Sequence, residues 1–318
     1  MEIMTYSTQN LWTWWFALYL FLGGMGAAVI VVSFLTHMYL REEKELVMWG
    51  ALSGTAMLTL GSGMLFLHLL HKWAAVYILT PWGIFHKPDS WIAWGSQFIL
   101  WLQIAAVLFA LPFMVEKKRL LGWPVMGDFL RMKITRDVAV TAQKYQTVLG
   151  WIAVVTGLGT AVYTGLLLQS FPAVALWHNP GVPILFTVSA FSTSMAWLLI
   201  VMYMFIYHRV DHTIRALYER VDIGLITAEL VVIYSFFNYT LSGSEAGYRS
   251  AELLWNDSGW VMGFVVCGLM IPLAMELKCV FGSWSGKVPI VTASVLVLTG
   301  GYLLRHYFMS AGVYAYPW

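Results

Sequence analysis

The sequence has 318 residues, of which 60% are hydrophobic and 11% are charged. An ordinary soluble domain is roughly half apolar and about a quarter charged, so this composition excludes a water-soluble globular protein. The formal net charge of +2 gives no indication of nucleic-acid binding. The two cysteines, Cys267 and Cys279, offer neither a disulfide framework nor a cysteine metal site, so we expect any metal or iron–sulfur chemistry to lie in another subunit.

The gaps between charged residues outline the membrane segments, because a spanning helix needs about 20 apolar residues. Pro172, Pro180 and Pro183 divide the long uncharged run 145–208 into two spans. The sequence therefore predicts an all-α integral membrane protein with eight transmembrane helices, at residues 14–38, 46–70, 91–115, 148–170, 182–207, 221–241, 260–280 and 288–309.

The basic residues predict the orientation of these helices. Fourteen of the 18 Lys and Arg lie in the loops that follow helices one, three, five and seven. Positive loops stay in the cytoplasm, so the basic loop 116–147 is predicted to be cytoplasmic and both termini periplasmic. We expect the cytoplasmic membrane of a bacterium or archaeon; an organelle membrane is the alternative, for which nothing in the sequence argues.

The two halves of the sequence resemble each other weakly. Pro112 and Glu116 end helix three with the same spacing as Pro272 and Glu276 at the end of helix seven. Helices four and eight share a Gly-x-Leu-Leu segment. These matches predict a duplicated four-helix unit, with one bundle in residues 1–170 and a second in 171–318; chance similarity between leucine-rich helices is the alternative.

Several polar side chains fall in the outer half of the predicted membrane region. His68 near the end of helix two could accept a proton from a quinol, and the Tyr163 phenol could hold a quinone oxygen in an apolar pocket. Gly157, Ala161 and Gly165 on the same helix as Tyr163 predict close approach of another helix. Arg305 could anchor a ligand or a partner, or could extend to the membrane surface. Interfacial histidines and a packing tyrosine are the structural alternatives.

Three acids indicate a possible proton path. Glu229 lies near the middle of helix six, far in sequence from any other charge, and acids in that position usually face a bundle interior or a water-filled path. Asp222 and Glu276 lie nearer the cytoplasmic side. An interfacial acid paired with a nearby basic residue is the alternative for those two.

The outer loops are rich in Trp, His and Pro and too short to fold alone, which favours a docking rim for another protein. The candidate docking residues are Asp89, Trp91, Trp177 and His178. Helix capping also accounts for Asp89.

Five segments, taken in order, resemble the NrfD/PsrC family of polysulfide reductase membrane subunits. They are Trp15-Phe-Ala-Leu-Tyr-Leu-Phe-Leu-Gly-Gly24, Ser90-Trp-Ile-Ala-Trp-Gly95, Tyr163-Thr-Gly-Leu-Leu167, Gly268-Leu-Met-Ile-Pro-Leu-Ala-Met-Glu276 and Gly300-Gly-Tyr-Leu-Leu-Arg305. Each motif is short, but their order and the eight spans cover nearly the whole chain.

The resemblance implies a quinone-reactive membrane subunit of a respiratory complex, with no haem or iron–sulfur cluster of its own. Menaquinone or ubiquinone would be its bound substrate, held by Tyr163 together with Tyr19, His68 and Arg305. The implied partners are a four-cluster iron–sulfur protein and a molybdopterin catalytic subunit or a cytochrome. Some relatives place an Asn and a His at the quinone in the first helix, where this chain has Phe16 and Tyr19.

Two other functional classes are compatible with the composition. A di-haem b-type cytochrome anchor needs paired histidines on facing helices, and most of the eight histidines lie at helix ends or in loops. An ion or solute transporter could also contain a buried acid and glycine-rich helices.

Overall fold

The computed structural model describes residues 5–10, 12–40, 44–68, 72–116, 124–206, 212–282, 284 and 286–316. Two short strands and a series of helices follow in chain order: β1 Thr5–Thr8, α1 Trp14–Tyr39, α2 Lys44–His68, α3 Lys72–Leu79, α4 Trp82–His86, α5 Trp91–Glu116, α6 Pro124–Arg131, α7 Lys133–Lys144, α8 Gln146–Gln169, α9 Gly181–Phe205, α10 His212–Leu241, α11 Glu245–Asn256, a π-helical segment Gly259–Met270 that continues into α12 Ile271–Phe281, α13 Lys287–Ser310 and β2 Val313–Tyr316.

Within these ranges, eight helices are long and apolar enough to cross a membrane: α1, α2, α5, α8, α9, α10, the π-helical segment with α12, and α13. Each coincides with one predicted span, so the prediction of an all-α membrane protein with eight spans is confirmed. The predicted ends at residues 70 and 207 lie outside the described residues.

Helix α10 begins at His212, nine residues before the predicted start of its span. The sequence-based boundary was drawn at the charged residues, but Arg215 and Glu219 form an ion pair four residues apart on the same helix. That spacing places both side chains on one face of a helix, so the charges extend the helix instead of ending it.

Small residues allow the close packing of α8 that its sequence predicts. A methyl group added at Gly157 would lie 2.5 Å from Val31 Cγ2 on α1, and one added at Gly165 would overlap the Pro183 backbone on α9. Neither position has room for a side chain. Helix α8 therefore packs closely against both α1 and α9.

Helix α1 is the most deeply buried span. It packs against α2 and α8 from the first half of the sequence and against α9 and α13 from the second. The division of the chain into two four-helix units at residue 170 stays a prediction.

The two halves share the Pro-to-Glu spacing, but the two glutamates lie in different environments. Glu116 is half exposed and pairs with Lys44 at 2.9 Å, whereas Glu276 is buried, with 3% of its surface exposed. The shared motif therefore does not give the two acids the same role.

The described chain ends meet at one face of the molecule. Strand β1 pairs antiparallel with β2, with Thr5 opposite Tyr316 and Thr8 opposite Val313. Val174, in the connection between α8 and α9, forms a further bridge to Tyr314. We refer to this end as the terminal face and to the other end as the opposite face.

Candidate functional site

Two tyrosines from different helices meet in the protein interior near the terminal face. The hydroxyl oxygens of Tyr19 on α1 and Tyr163 on α8 are 2.8 Å apart, and each residue is 1% exposed. One hydroxyl donates to the other, so the accepting hydroxyl keeps a proton that it can donate to a third group. The pair can therefore act as a single hydrogen-bond donor inside an apolar region.

A glycine on α5 makes room for this pair. A methyl group added at Gly95 would overlap ring carbons of Tyr163, so no larger residue fits there while the ring keeps its place. The motif Ser90–Gly95 therefore contacts the motif that begins at Tyr163 on α8. The structure brings these two motifs together at one place.

Arg305 on α13 is fully buried. Its guanidinium donates to the Gly301 and Phe186 carbonyl oxygens, at 2.7 and 3.2 Å, and to Ser189 Oγ at 3.2 Å. The alternative of an arginine that extends to the membrane surface is therefore wrong, because its charged group is tied to α9 and to its own helix inside the protein.

Arg305 also approaches the helix that carries Tyr163. A methyl group added at Gly24 on α1 would lie 3.6 Å from Arg305 Nη2 and 3.8 Å from Thr164 Oγ1. Thr164 follows Tyr163 in the sequence, so the arginine and the tyrosine pair border the same stretch of α1.

Glu229 on α10 balances the charge of Arg305. It is 2% exposed, it attracts the guanidinium electrostatically, and its carboxylate accepts a hydrogen bond from Ser189. Since Ser189 Oγ also accepts from Arg305, the serine hydroxyl links the two charged groups. A buried charge is tolerated when it is paired in this way.

The other two predicted acids contact each other. Asp222 on α10 is fully buried and Glu276 on α12 nearly so, and their carboxyl groups interact directly. Asp222 Oδ1 accepts from Ser192 Oγ at 2.6 Å. Two ionised carboxylates in contact in a dry interior repel strongly, so such a pair favours sharing one proton.

These side chains form a row through the molecule. Arg305 lies five residues from the terminal-face end of α13, about 8 Å along the axis, and Glu276 lies five residues from the opposite-face end of α12. Asp222 and Glu229 lie between them on α10. We refer to Glu276, Asp222, Glu229 and Arg305 as the buried charge row.

Sequence reasoning missed one charged pair beside this row. Arg215 Nε lies 3.4 Å from Glu219 Oε1, and Glu219 is only 1% exposed. The four-residue spacing between them was the available signal, but the predicted span begins at residue 221. Both residues therefore fall in a loop in the sequence prediction.

The candidate docking residues do not share one environment. Asp89, Trp91 and His178 are exposed. Trp177 is 1% exposed and its indole nitrogen donates to the Phe308 carbonyl oxygen at 2.7 Å. Trp177 is thus a core residue that fastens the α8–α9 connection to α13, which corrects its assignment to a docking surface.

His68 is the last residue of α2, and its side chain lies outside the described part of the structure. His71, three residues later in the sequence, also falls outside the described residues.

No group of three or more His, Cys, Asp or Glu side chains that could hold a metal ion occurs within the described ranges. The residues that the structure brings together here are two phenols that can donate or accept hydrogen bonds, one buried guanidinium and three buried carboxyl groups.

Comparison with known proteins gives one family. The family model described as polysulphide reductase, NrfD matches residues 3–317. The protein NrfD of Escherichia coli (strain K12) is 24% identical over 311 residues, which cover 95% of this chain and 94% of that protein. A polysulfide reductase chain from Wolinella succinogenes is 25% identical over 324 residues, which cover 98% and 96%. A selenate reductase subunit from Mesobacillus selenatarsenatis is 23% identical over 218 residues, which cover 63% and 49%.

Proposed function

The chain belongs to the polysulphide reductase, NrfD family, and on that premise we propose that it is the quinone-reactive membrane subunit of a respiratory oxidoreductase complex. It exchanges electrons between a membrane quinone and an iron–sulfur partner. The observation that carries the proposal is the buried hydroxyl pair of Tyr19 and Tyr163.

The phenol pair fits the chemistry of a quinone. A quinone carbonyl needs a hydrogen-bond donor, and a quinol hydroxyl needs an acceptor; a phenol can serve as either. Because one proton of the pair is left over after the mutual hydrogen bond, the pair can donate to a quinone without breaking the contact between Tyr19 and Tyr163. The nearby positive charge of Arg305 would favour the extra negative charge of a reduced quinone.

The position of the tyrosine pair near the terminal face supports a partner that docks there. We propose that an iron–sulfur subunit docks on the terminal face, on the periplasmic side, and passes electrons to or from a molybdopterin subunit or a cytochrome. The names of two relatives, one from a polysulfide reductase and one from a selenate reductase, support assembly into a reductase complex.

We also propose that the buried charge row conducts protons between the site and the opposite face. Quinol oxidation that releases its two electrons and two protons at the terminal face moves no charge across the membrane. In the reverse direction, a quinone takes two electrons from the partner and two protons from the row. Those protons come from the opposite face, so two positive charges cross most of the membrane.

The test is quinol oxidation by the purified complex, with a water-soluble dye as electron acceptor. Turnover that depends on the Tyr163 hydroxyl supports the proposal. A complex that never reacts with quinols or quinones contradicts it. A haem absorbance band in the purified chain would instead favour the cytochrome anchor, and solute uptake without any redox partner would favour the transporter.

A further inference from the structure

One buried charged pair lies outside the buried charge row and has no part in the mechanism above. Glu219 on α10 is 1% exposed, and its Oε1 lies 3.4 Å from Arg215 Nε. A carboxylate at this depth is costly unless a cation accompanies it, and Arg215 supplies that cation.

The pair lies near the opposite-face end of α10. Arg215 is in the first turn of α10 after His212, and its side chain is 18% exposed, whereas that of Glu219 is 2% exposed. Arg215 is therefore the more accessible member of the pair, and its Nε lies beside the buried carboxylate. Tyr203 on α9 hydrogen bonds to Arg215 and interacts electrostatically with Glu219.

Glu219 also adjoins the first members of the buried charge row. It precedes Asp222 by three residues, a spacing that puts two side chains on one helix face about 5–6 Å apart at their Cβ atoms. It interacts electrostatically with Glu276 across the α10–α12 contact. The oxygens of Glu276 and Asp222 Oδ2 have no other hydrogen-bond partner among the described residues.

Among the described residues, the titratable groups near Glu219 come from three helices. Arg215 and Asp222 lie on its own helix, Tyr203 approaches from α9, and Glu276 and Cys279 approach from α12. Arg215 is the cation of this set. The carboxyl group of Glu219 can exist in two states. When it is ionised, Arg215 pairs with it; when a proton neutralises it, Arg215 is released to the solvent side. Neither state leaves an unpaired buried charge on the acid.

We propose that Glu219 and Arg215 form the opposite-face entrance of the proton route. Glu219 takes a proton from water while Arg215 turns to solvent, and passes it to the shared-proton pair of Asp222 and Glu276. Glu219 is then ionised again and re-forms its ion pair. Each proton that enters is matched by one that the carboxyl pair passes on toward Glu229.

This inference rests on the proposed function, and the experiment separates the two. The complex is reconstituted into sealed vesicles, and quinone reduction, with electrons supplied by a water-soluble reductant, is measured together with the membrane voltage. Glu219→Gln keeps the shape of the side chain but cannot carry a proton. Asp137→Asn, at an exposed acid on α7 near the opposite face, is the matched control.

We expect Glu219→Gln to lose voltage generation and to reduce quinone more slowly, because the protons for that reaction enter through the route. Quinol oxidation, which releases its protons at the terminal face, should be unchanged, and Asp137→Asn should behave as wild type. Arg215→Lys should retain the voltage, because a lysine preserves the cation, and Arg215→Gln should reduce it. Undiminished voltage in Glu219→Gln would contradict the proposal that Glu219 is the entrance of the proton route. If the wild-type complex turns over without generating a voltage, the whole proton route is contradicted. If the complex does not react with quinones at all, the proposed function itself is contradicted.

Discussion

Tyr19 and Tyr163 are 144 residues apart in the sequence, and their hydroxyl oxygens are 2.8 Å apart in the structure. This contact joins the first helix to the fourth span. Five residues farther along α1, at Gly24, Arg305 of α13 and Thr164 of α8 approach the same position. The tyrosine motif of α8 thus lies close to both the amino-terminal and the carboxy-terminal helices.

Removal of the Tyr163 hydroxyl should slow quinone chemistry without affecting assembly. In Tyr163→Phe the ring still fills its place against Gly95, and only the hydrogen bond is lost. We expect kcat/KM for quinol to fall about tenfold or more, the effect of losing one hydrogen bond of ~1.4 kcal/mol in the transition state.

The double variant Tyr19→Phe and Tyr163→Phe serves as the internal control. Because the two hydroxyls act as one donor, the combined loss should be smaller than the sum of the single losses in free energy. Normal turnover by Tyr163→Phe would make the tyrosine a packing residue.

Gly95→Ala should damage the same site from a different helix. The added methyl group would overlap the Tyr163 ring, and overpacking of this kind costs about 1–3 kcal/mol. We expect a lower melting temperature and impaired quinol turnover, because the phenol must move. Gly63→Ala on α2 is the matched control, since a methyl group there meets nothing within 4 Å; equal effects of the two substitutions would argue against a special fit at Gly95.

Arg305→Met should destabilise the protein strongly, because it leaves Glu229 buried without its cation. Loss of one partner of a buried pair costs about 3–5 kcal/mol. Adding Glu229→Gln to Arg305→Met should recover much of that loss, as measured by thermal unfolding in detergent. For comparison, Lys44→Met removes one partner of the exposed pair with Glu116 and should cost about 0–1 kcal/mol. A double variant no more stable than Arg305→Met would show that the two charges do not compensate each other.

Glu229→Gln should lower quinone reduction and the accompanying voltage in sealed vesicles together, more than it lowers quinol oxidation. The amide keeps the hydrogen bond to Ser189 but cannot release a proton, so proton transfer along the row stops at this position. Asp137→Asn, at an exposed acid on α7, provides the control. Voltage that persists at the wild-type level would leave Glu229 as the structural counter-charge of Arg305.

The orientation can be tested with single cysteines in a variant whose Cys267 and Cys279 are replaced by serine. Ser7→Cys in β1 should react with a membrane-impermeant maleimide from the periplasmic side, and Gln143→Cys in α7 only after the membrane is opened. The expectation rests on the distribution of Lys and Arg. The reverse pattern of labelling would place the tyrosine pair near the cytoplasmic side.

The sequence by itself determined the membrane architecture. Apolar segments bounded by charged residues predicted all eight spans, because the cost of burying a charge in lipid is large and acts locally along the chain. The order of short motifs was enough to identify the family, and Tyr19, Tyr163, Arg305 and the three acids were recognised as polar residues in apolar surroundings.

Only the tertiary structure decided which of these residues meet. Sequence spacing on one helix cannot tell that the Tyr19 and Tyr163 hydroxyls touch, that Arg305 turns inward to Ser189, or that Asp222 and Glu276 share a contact, since each pair joins different helices. Sequence reasoning also placed Trp177 at the surface, although its indole nitrogen bonds a carbonyl oxygen of α13. Helix boundaries follow from local composition, but the environment of a polar side chain depends on which helices pack around it, and that is a property of the whole bundle.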